Sequence, residues 1–436
     1  MKMLNLKITP QREALLKGFD NEFHALLQVN ADELMPPQGA SNHLNLAIVI
    51  DCSGSMRGRP LDEAKKSAVM MVQAMNSTDR VAVVVYADRA HLIVPSTYCE
   101  NKQHIISQIT EISTSGMTAL HAGWLMGAEE VAKYKTEKSL NRVLLLSDGN
   151  ANVGLTATEQ IKQQCAQLAD LDVTTSTYGL GHEFNEELMI EMANSGLGQG
   201  YYGETADDLS DPFKEEFELL LNTIATNLSL KVECPDFVEL KLLNNFRLNG
   251  SEWSMPDIAF GGEGWALFKL IINRNHISDV PLEVLRCVVS YKDKEANERK
   301  TEPAKLILEP LSPNAFEAVM ENEKVKVRIS EMLVANYQQQ AREAAQQGDW
   351  VRVDQVVAQA KEVAKDDAWM RQSLKMLEKY SRQRQREQFS KEALYSADKM
   401  NKRLVSDDES RVSYSMDIEA QKAAYLRRKT ERGKRM

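Results

Sequence analysis

The chain is poor in cysteine. Cys52, Cys99, Cys165, Cys234 and Cys287 are scattered over 436 residues, and no Cys-x-x-Cys pair occurs. An odd, dispersed set argues against a disulfide framework and against a cysteine zinc site, and it favours free thiols in a reducing compartment. Long apolar runs are also missing. A membrane-spanning helix takes about 18 or more apolar residues, and no window reaches that length. The opening Met1-Lys2-Met3-Leu4-Asn5 has no apolar core of signal-peptide length, so the expectation is a cytoplasmic protein. Excess positive charge is absent as well. The net charge of −10 disfavours nucleic acid as a partner of the whole chain.

Several catalytic signatures are incomplete. No Gly-Lys-Ser/Thr phosphate loop occurs, and Gly179-Leu180-Gly181 lacks the spacing of one. His182-Glu183-Phe184-Asn185-Glu186 begins like a zinc-protease helix but has no second His. His121 and His182 are isolated and read as surface or cap residues. Ser53 as a nucleophile would need a base such as His nearby, and its motif holds none. The chain is therefore expected not to be an enzyme.

What is present is a run of hard oxygen donors. Leu46-Ala47-Ile48-Val49-Ile50 is continuously apolar and reads as a buried parallel strand. Asp51, Ser53 and Ser55 follow it, so a carboxylate and two hydroxyls emerge at a strand's carboxyl end, where open α/β sheets bind ligands. Thr118, in Ser115-Gly116-Met117-Thr118-Ala119-Leu120, sits at the start of a helical stretch. Asp148 follows a second apolar strand, Leu144-Leu145-Leu146-Ser147. Carboxylate and hydroxyl oxygens suit Mg²⁺ or Mn²⁺ and not Zn²⁺ or copper.

In this order, Asp51, Ser53, Ser55, Thr118 and Asp148 resemble the metal-ion-dependent adhesion site of the von Willebrand factor type A family: Asp-x-Ser-x-Ser, then a distant Thr and a distant Asp. The resemblance covers about residues 41–225. Around the motif it is similar to the branch of inter-alpha-trypsin inhibitor heavy chains and bacterial relatives of calcium-activated chloride channel proteins. Asp79-Arg80-Val81-Ala82-Val83-Val84-Val85-Tyr86-Ala87 and Ser147-Asp148-Gly149-Asn150-Ala151-Asn152-Val153-Gly154 carry that likeness. The resemblance implies that the two Ser and the Thr contact the metal and that the Asp residues act through water. It also implies one open coordination position, filled by an acidic side chain of a partner protein. The ion is expected to be Mg²⁺, with Mn²⁺ and Ca²⁺ left open. Cys52, inside the motif, is expected to pack inward as a small apolar residue.

Around this centre the chain divides by pattern. Residues 1–40 read as strands, with a linker-like break at Met35-Pro36-Pro37-Gln38-Gly39. Residues 41–226 alternate strand and helix, which predicts a doubly wound, mainly parallel α/β sheet. Strands are expected near 46–51, 80–86, 90–94, 142–147 and 172–178, and the last helix near 211–226. Gly196-Leu197-Gly198-Gln199-Gly200 reads as a turn cluster. Residues 227–313 alternate with period two and predict a β-sandwich that pairs with residues 1–40. The α/β unit is then an insertion into the sandwich.

Residues 314–401 predict a three-helix bundle, with Asp349 as an N-cap. Residues 402–436 form a polar tail, with seven basic residues and one Glu over 421–436. Residues 204–220 carry seven acidic residues and one Lys, and the segment 207–218 reads as the solvated face of a helix.

The functional expectation is a cytoplasmic, metal-dependent protein-interaction scaffold whose bundle and tail add a second contact. A regulatory or adaptor subunit of an AAA+ ATPase, of the MoxR or chelatase kind, is the alternative. A metal-dependent hydrolase is a third reading. It lacks a candidate base beside the metal.

Overall fold

The computed structural model describes residues 4–31, 42–149, 151–181, 183–205, 208, 210–365 and 367–402. The Pro-rich break, His182 and the basic tail lie outside the described residues. The chain opens with β1 (Leu4–Pro10), β2 (Ala14–Leu16) and β3 (Asn21–Ala31). The α/β region follows: β4 (His43–Asp51), α1 (Arg59–Ala74), β5 (Arg80–Tyr86), β6 (Ala90–Tyr98), α2 (Lys102–Thr110), α3 (Leu120–Lys133), β7 (Ser139–Ser147), α4 (Thr158–Asp170), β8 (Thr174–Leu180), α5 (Glu186–Ser195), β9 (Leu197–Gly203) and α6 (Ser210–Asn222). Then come β10 (Thr223–Glu233), β11 (Val238–Leu242), β12 (Arg247–Asn249), β13 (Glu252–Met255), β14 (Ile258–Ala259), β15 (Glu263–Ile272), β16 (Leu282–Asp293), β17 (Glu298–Lys300) and β18 (Ala304–Leu311). The helices α7 (Pro313–Glu317), α8 (Glu323–Gln346), α9 (Trp350–Val363), α10 (Ala368–Arg382) and α11 (Arg386–Lys402) complete the described chain. Among the described residues, no helix is long and apolar enough to cross a membrane.

The α/β region has one six-stranded sheet in the order β6-β5-β4-β7-β8-β9. All neighbours are parallel except β6, which runs antiparallel at one edge. β4 and β7 are covered on both faces, which is why their sequences are continuously apolar rather than alternating. On one face α1 buries Leu61, Ala64, Ala68, Met71 and Val72, a stripe at helical spacing, with Pro60 in its first turn. On the other, α3 places Trp124 and Ala128 against Val49 and Val143. The chain runs outward in opposite directions from β4 and β7. Their carboxyl ends therefore flank the topological switch point.

The N-terminal strands complete the sandwich. β3 lies between β1 and β15, and β2 pairs in parallel with β18. Ala25, Leu27 and Val29 of β3 enter the sandwich core, whereas Leu26 points the other way and meets Trp265, Leu267 and Val325. Val325 belongs to α8, so a helix covers the outer face of that sheet and both faces of β3 are buried.

Four expectations need correction. The glycine cluster at 196–200 is not a turn: Leu197–Gly203 is β9, a sheet strand. A β-carbon on Gly198 would lie 2.0 Å from the Thr175 carbonyl oxygen, so the glycine there permits close approach of β9 to β8. The helix expected to reach 226 stops at Asn222, where β10 begins. Asn42 Nδ2 donates to the carbonyls of Leu220 and Thr223, both at 2.8 Å, and ties off that end.

The bundle has four long helices rather than three. Asp349 caps α9 as expected, accepting from Arg352 N at 3.0 Å. The third helical stretch breaks at Arg384, which adopts φ 54° without any Gly or Pro. Arg384 there pairs with Asp354 at 3.1 Å and lies over the Trp350 ring, so tertiary contacts hold a conformation that local propensity disfavours. The acidic helix α6 is also not wholly solvated. Glu216 is fully buried, bonded to Arg142 Nη1 at 2.7 Å, Ser176 Oγ at 2.7 Å and Tyr201 OH at 2.8 Å. Arg142 also reaches Asp257 at 3.0 Å, which ties the α/β sheet to the sandwich.

Candidate metal centre

All five residues singled out from the sequence come together at the switch point. Asp51 ends β4 and is fully buried. Its Oδ1 accepts from Ser53 N at 2.8 Å and its Oδ2 from Ser147 Oγ at 3.0 Å, so both oxygens are held in place. A single 3₁₀ turn, Gly54–Met56, then carries the chain across the strand end. The turn brings Ser53 Oγ and Ser55 Oγ within 3.1 Å of each other. Ser55 Oγ donates to Asp148 Oδ1 at 2.8 Å. A β-carbon added to Gly149 would lie 3.3 Å from Thr118 Oγ1 and 3.5 Å from Ser55 Oγ, so these hydroxyls face one small space that a side chain at 149 would fill.

The Thr118 loop is fastened from three sides. Ser115 N donates to the Cys52 carbonyl at 2.7 Å, Gly54 N to the Gly116 carbonyl at 3.1 Å, and Ala119 N to the Ala87 carbonyl at 2.7 Å. Thr118 N donates to Asn152 Oδ1 at 3.0 Å. Asp88 Oδ1 accepts from Met117 N at 2.8 Å. Gly116 is required at φ 66°, because a β-carbon there would lie 2.3 Å from Asp88 Oδ2.

Burial raises the Asp51 carboxyl above its usual range against the opposing bonds from Ser53 and Ser147. Burial also pushes Asp148 up to about 7, with the Asp51 charge adding to the shift and the Ser55 bond opposing it. No Lys or Arg is among the largest influences on either group. Two neighbouring buried carboxylates, both raised chiefly by burial and ringed by three hydroxyls, form a donor set that fits a hard divalent ion. Among the described residues, no group of three or more His, Cys, Asp or Glu is placed to hold a metal, so this centre depends on its hydroxyls.

The supporting residues are less visible in sequence. Ser147 lies next to Asp148 in the motif and could have been suspected from that position. Tyr86 lies in the stretch that carries the likeness, but its role, a hydroxyl donating to the Leu146 carbonyl at 2.8 Å beneath the site, has no signal there, and Asp88, 29 residues from its partner Met117, carries none either. Cys52 packs inward, its Sγ on the Tyr86 carbonyl at 3.3 Å, and burial with the Asp51 charge pushes its thiol up to about 11. His121 Nε2 lies 2.7 Å from Gln164 Oε1, away from the five oxygen donors.

The α/β region is similar to known proteins. Residues 45–215 match the von Willebrand factor type A domain. The uncharacterized protein YfbK of Escherichia coli (strain K12) is 28% identical over 267 residues, covering 58% of this chain and 46% of that protein. Human inter-alpha-trypsin inhibitor heavy chain H3 is 27% identical over 213 residues, covering 46% of this chain and 23% of that protein. The chain thus spans less than half the length of these curated relatives. Among solved structures, a von Willebrand factor type A protein from Catenulispora acidiphila superposes with TM-score 0.70 at 17% identity, over 86% of this chain and 89% of that one. The ArnB paralog VWA2 from Sulfolobus acidocaldarius gives 0.62 at 16% identity, over 92% and 98%. These two likenesses extend beyond the α/β region and show that the fold is shared. Residues 45–215 of this chain are thus a von Willebrand factor type A domain.

Proposed function

We propose that the α/β domain is a metal-dependent adhesion module. Mg²⁺ at Asp51, Ser53, Ser55, Thr118 and Asp148 would capture a carboxylate of a partner protein, and the chain would act as a scaffold, not an enzyme. The observation that carries this reading is the convergence of two buried carboxylates and three hydroxyls with no cationic side chain among their largest electrostatic neighbours. The bound ion would supply an electrophilic centre for a carboxylate oxygen. The chain's own residues do the rest. Ser147 and Ser53 N fix the Asp51 carboxylate, and the fastened 115–119 loop presents Thr118. Ser55 is exposed at the mouth, so the site opens to solvent.

The rim suggests the partner's chemistry. Arg57, directly after the Ser53–Ser55 turn, and Arg89, next to the Asp88 that holds Met117, are both exposed, and Met117 is 55% exposed. A segment carrying several acidic residues and one apolar residue would complement them. All five cysteines are free, which supports a reducing compartment and hence the cytoplasm. In this reading 41–226 is the binding unit, 1–40 with 227–313 its sandwich support, and 314–401 with the tail a second contact.

The test is affinity capture from native lysate with the wild-type chain, with added EDTA, and with Thr118→Ala. A specific partner should be lost alike in the last two. A partner retained in both would show that the metal centre is not the binding surface.

A further inference from the structure

Lys391 is a buried ammonium on α11. Its Nζ donates to the Phe184 carbonyl at 2.6 Å and to Glu186 Oε2 at 2.9 Å, and it sits 4.2 Å from the Phe184 ring centroid. A buried cation is costly unless its partners are provided. Here they come from Phe184, in the connection between β8 and α5, and from Glu186, which opens α5. Arg342 of α8 approaches the same place, 3.6 Å from Glu186 and 3.7 Å from Glu187. Burial acts to raise the Glu186 carboxyl, but the bond and charge of Lys391 outweigh it and hold the group below the usual carboxylate range.

That connection borders the metal centre. Gly179 of β8 stands opposite Ser147 of β7, and Ser147 holds Asp51 Oδ2. Phe184 folds back over Gly179 so closely that a β-carbon there would lie 2.3 Å from its ring. Glu183 is among the charges acting on Asp148. Contacts therefore run without a gap from Lys391 through Phe184, Gly179 and Ser147 to Asp51.

The junction is also incompletely satisfied. Tyr202 of β9 and Tyr395 of α11 stack across it, 5.5 Å between centroids. Both hydroxyls, and Arg342 Nε, are buried without a hydrogen-bond partner among the described residues. Each such atom raises the free energy of the docked state.

We infer that Lys391 is a positioning residue through which α11 sets the affinity of the metal centre. In place, Lys391 holds Phe184 against Gly179, beside the Ser147–Asp51 pair. Without it, that wall loosens and the ion is held less tightly. The inference rests on the reading of this centre as a metal site.

The test uses the full chain with Lys391→Met and with the charge-balanced pair Lys391→Met/Glu186→Gln, which leaves no orphaned carboxylate to impair folding. Mg²⁺ titration calorimetry and hydrogen exchange are read on each. Exchange should accelerate over 183–190 and 386–400 while the sandwich strands stay as in wild type. Mg²⁺ affinity should fall about tenfold, within the range typical of coupled sites. Accelerated exchange with wild-type affinity would overturn the coupling and leave the metal reading standing. Unchanged exchange would overturn the clamp. No Mg²⁺ binding by the wild type would overturn the metal reading and the coupling with it.

Discussion

Gly116 shows how much of the centre depends on one backbone position. It holds φ 66°, accepts at its carbonyl from Gly54 N, and leaves room for the Asp88 carboxylate that anchors Met117. Gly116→Ala forces a side chain into a left-handed conformation, which costs about 1–2 kcal/mol, and into the Asp88 oxygens as well. The expected outcome is a modest loss of thermal stability with a disproportionate loss of Mg²⁺ affinity, since Thr118 is two residues away. Melting and calorimetry on the same preparation check this, and a variant with wild-type Mg²⁺ affinity would show that the loop does not order the site. Asp51, Ser53, Ser55, Thr118 and Asp148 were legible because each lies at a strand end or helix start whose apolar pattern is plain. The roles of Asp88 and Tyr86 were not, because each acts on a partner far away in the chain, Met117 and Leu146.

The same contrast holds for strands and helices. The inserted α/β unit could be read from periodicity, and the return of the N-terminal strands to the sandwich from the closeness of the two ends that flank an inserted domain. β9 could not, because its glycines serve close backbone approach and look like turn residues. Neither could the break between α10 and α11, where Arg384 is held by Asp354 and Trp350 rather than by any local signal. β3 is the strand whose removal is most informative. It sits between β1 and β15 with Ala25, Leu27 and Val29 in the sandwich core. Deleting residues 1–31 should uncover the paired edge and apolar face of β15 and give an aggregating chain, because an exposed apolar edge strand invites intermolecular pairing. A monomeric product that unfolds in one cooperative transition would contradict the assignment of β3 as an integral sandwich strand.

Across the protein, the link between proton and metal at the centre gives a dependence on pH. In the metal-free fold Asp148 is raised to about 7, so the native state retains a proton that the unfolded chain has released. Its contribution to stability is therefore present at low pH and lost as pH rises towards 7. Mg²⁺ needs the ionised carboxylate and removes that penalty. The Mg²⁺-induced rise in melting temperature should grow between about pH 5 and about pH 7 and level off above, as the ordinary and raised carboxyl values require. A rise that does not vary with pH would mean that Asp148 does not meet the ion. The most direct measurement is Mg²⁺ titration calorimetry at pH 8 on the wild type and on Asp148→Ala, with circular dichroism to confirm the fold of both. One chelatable site in the wild type and none in the folded variant is the predicted result. Equal affinity in the two, or no site in either, would contradict the metal centre.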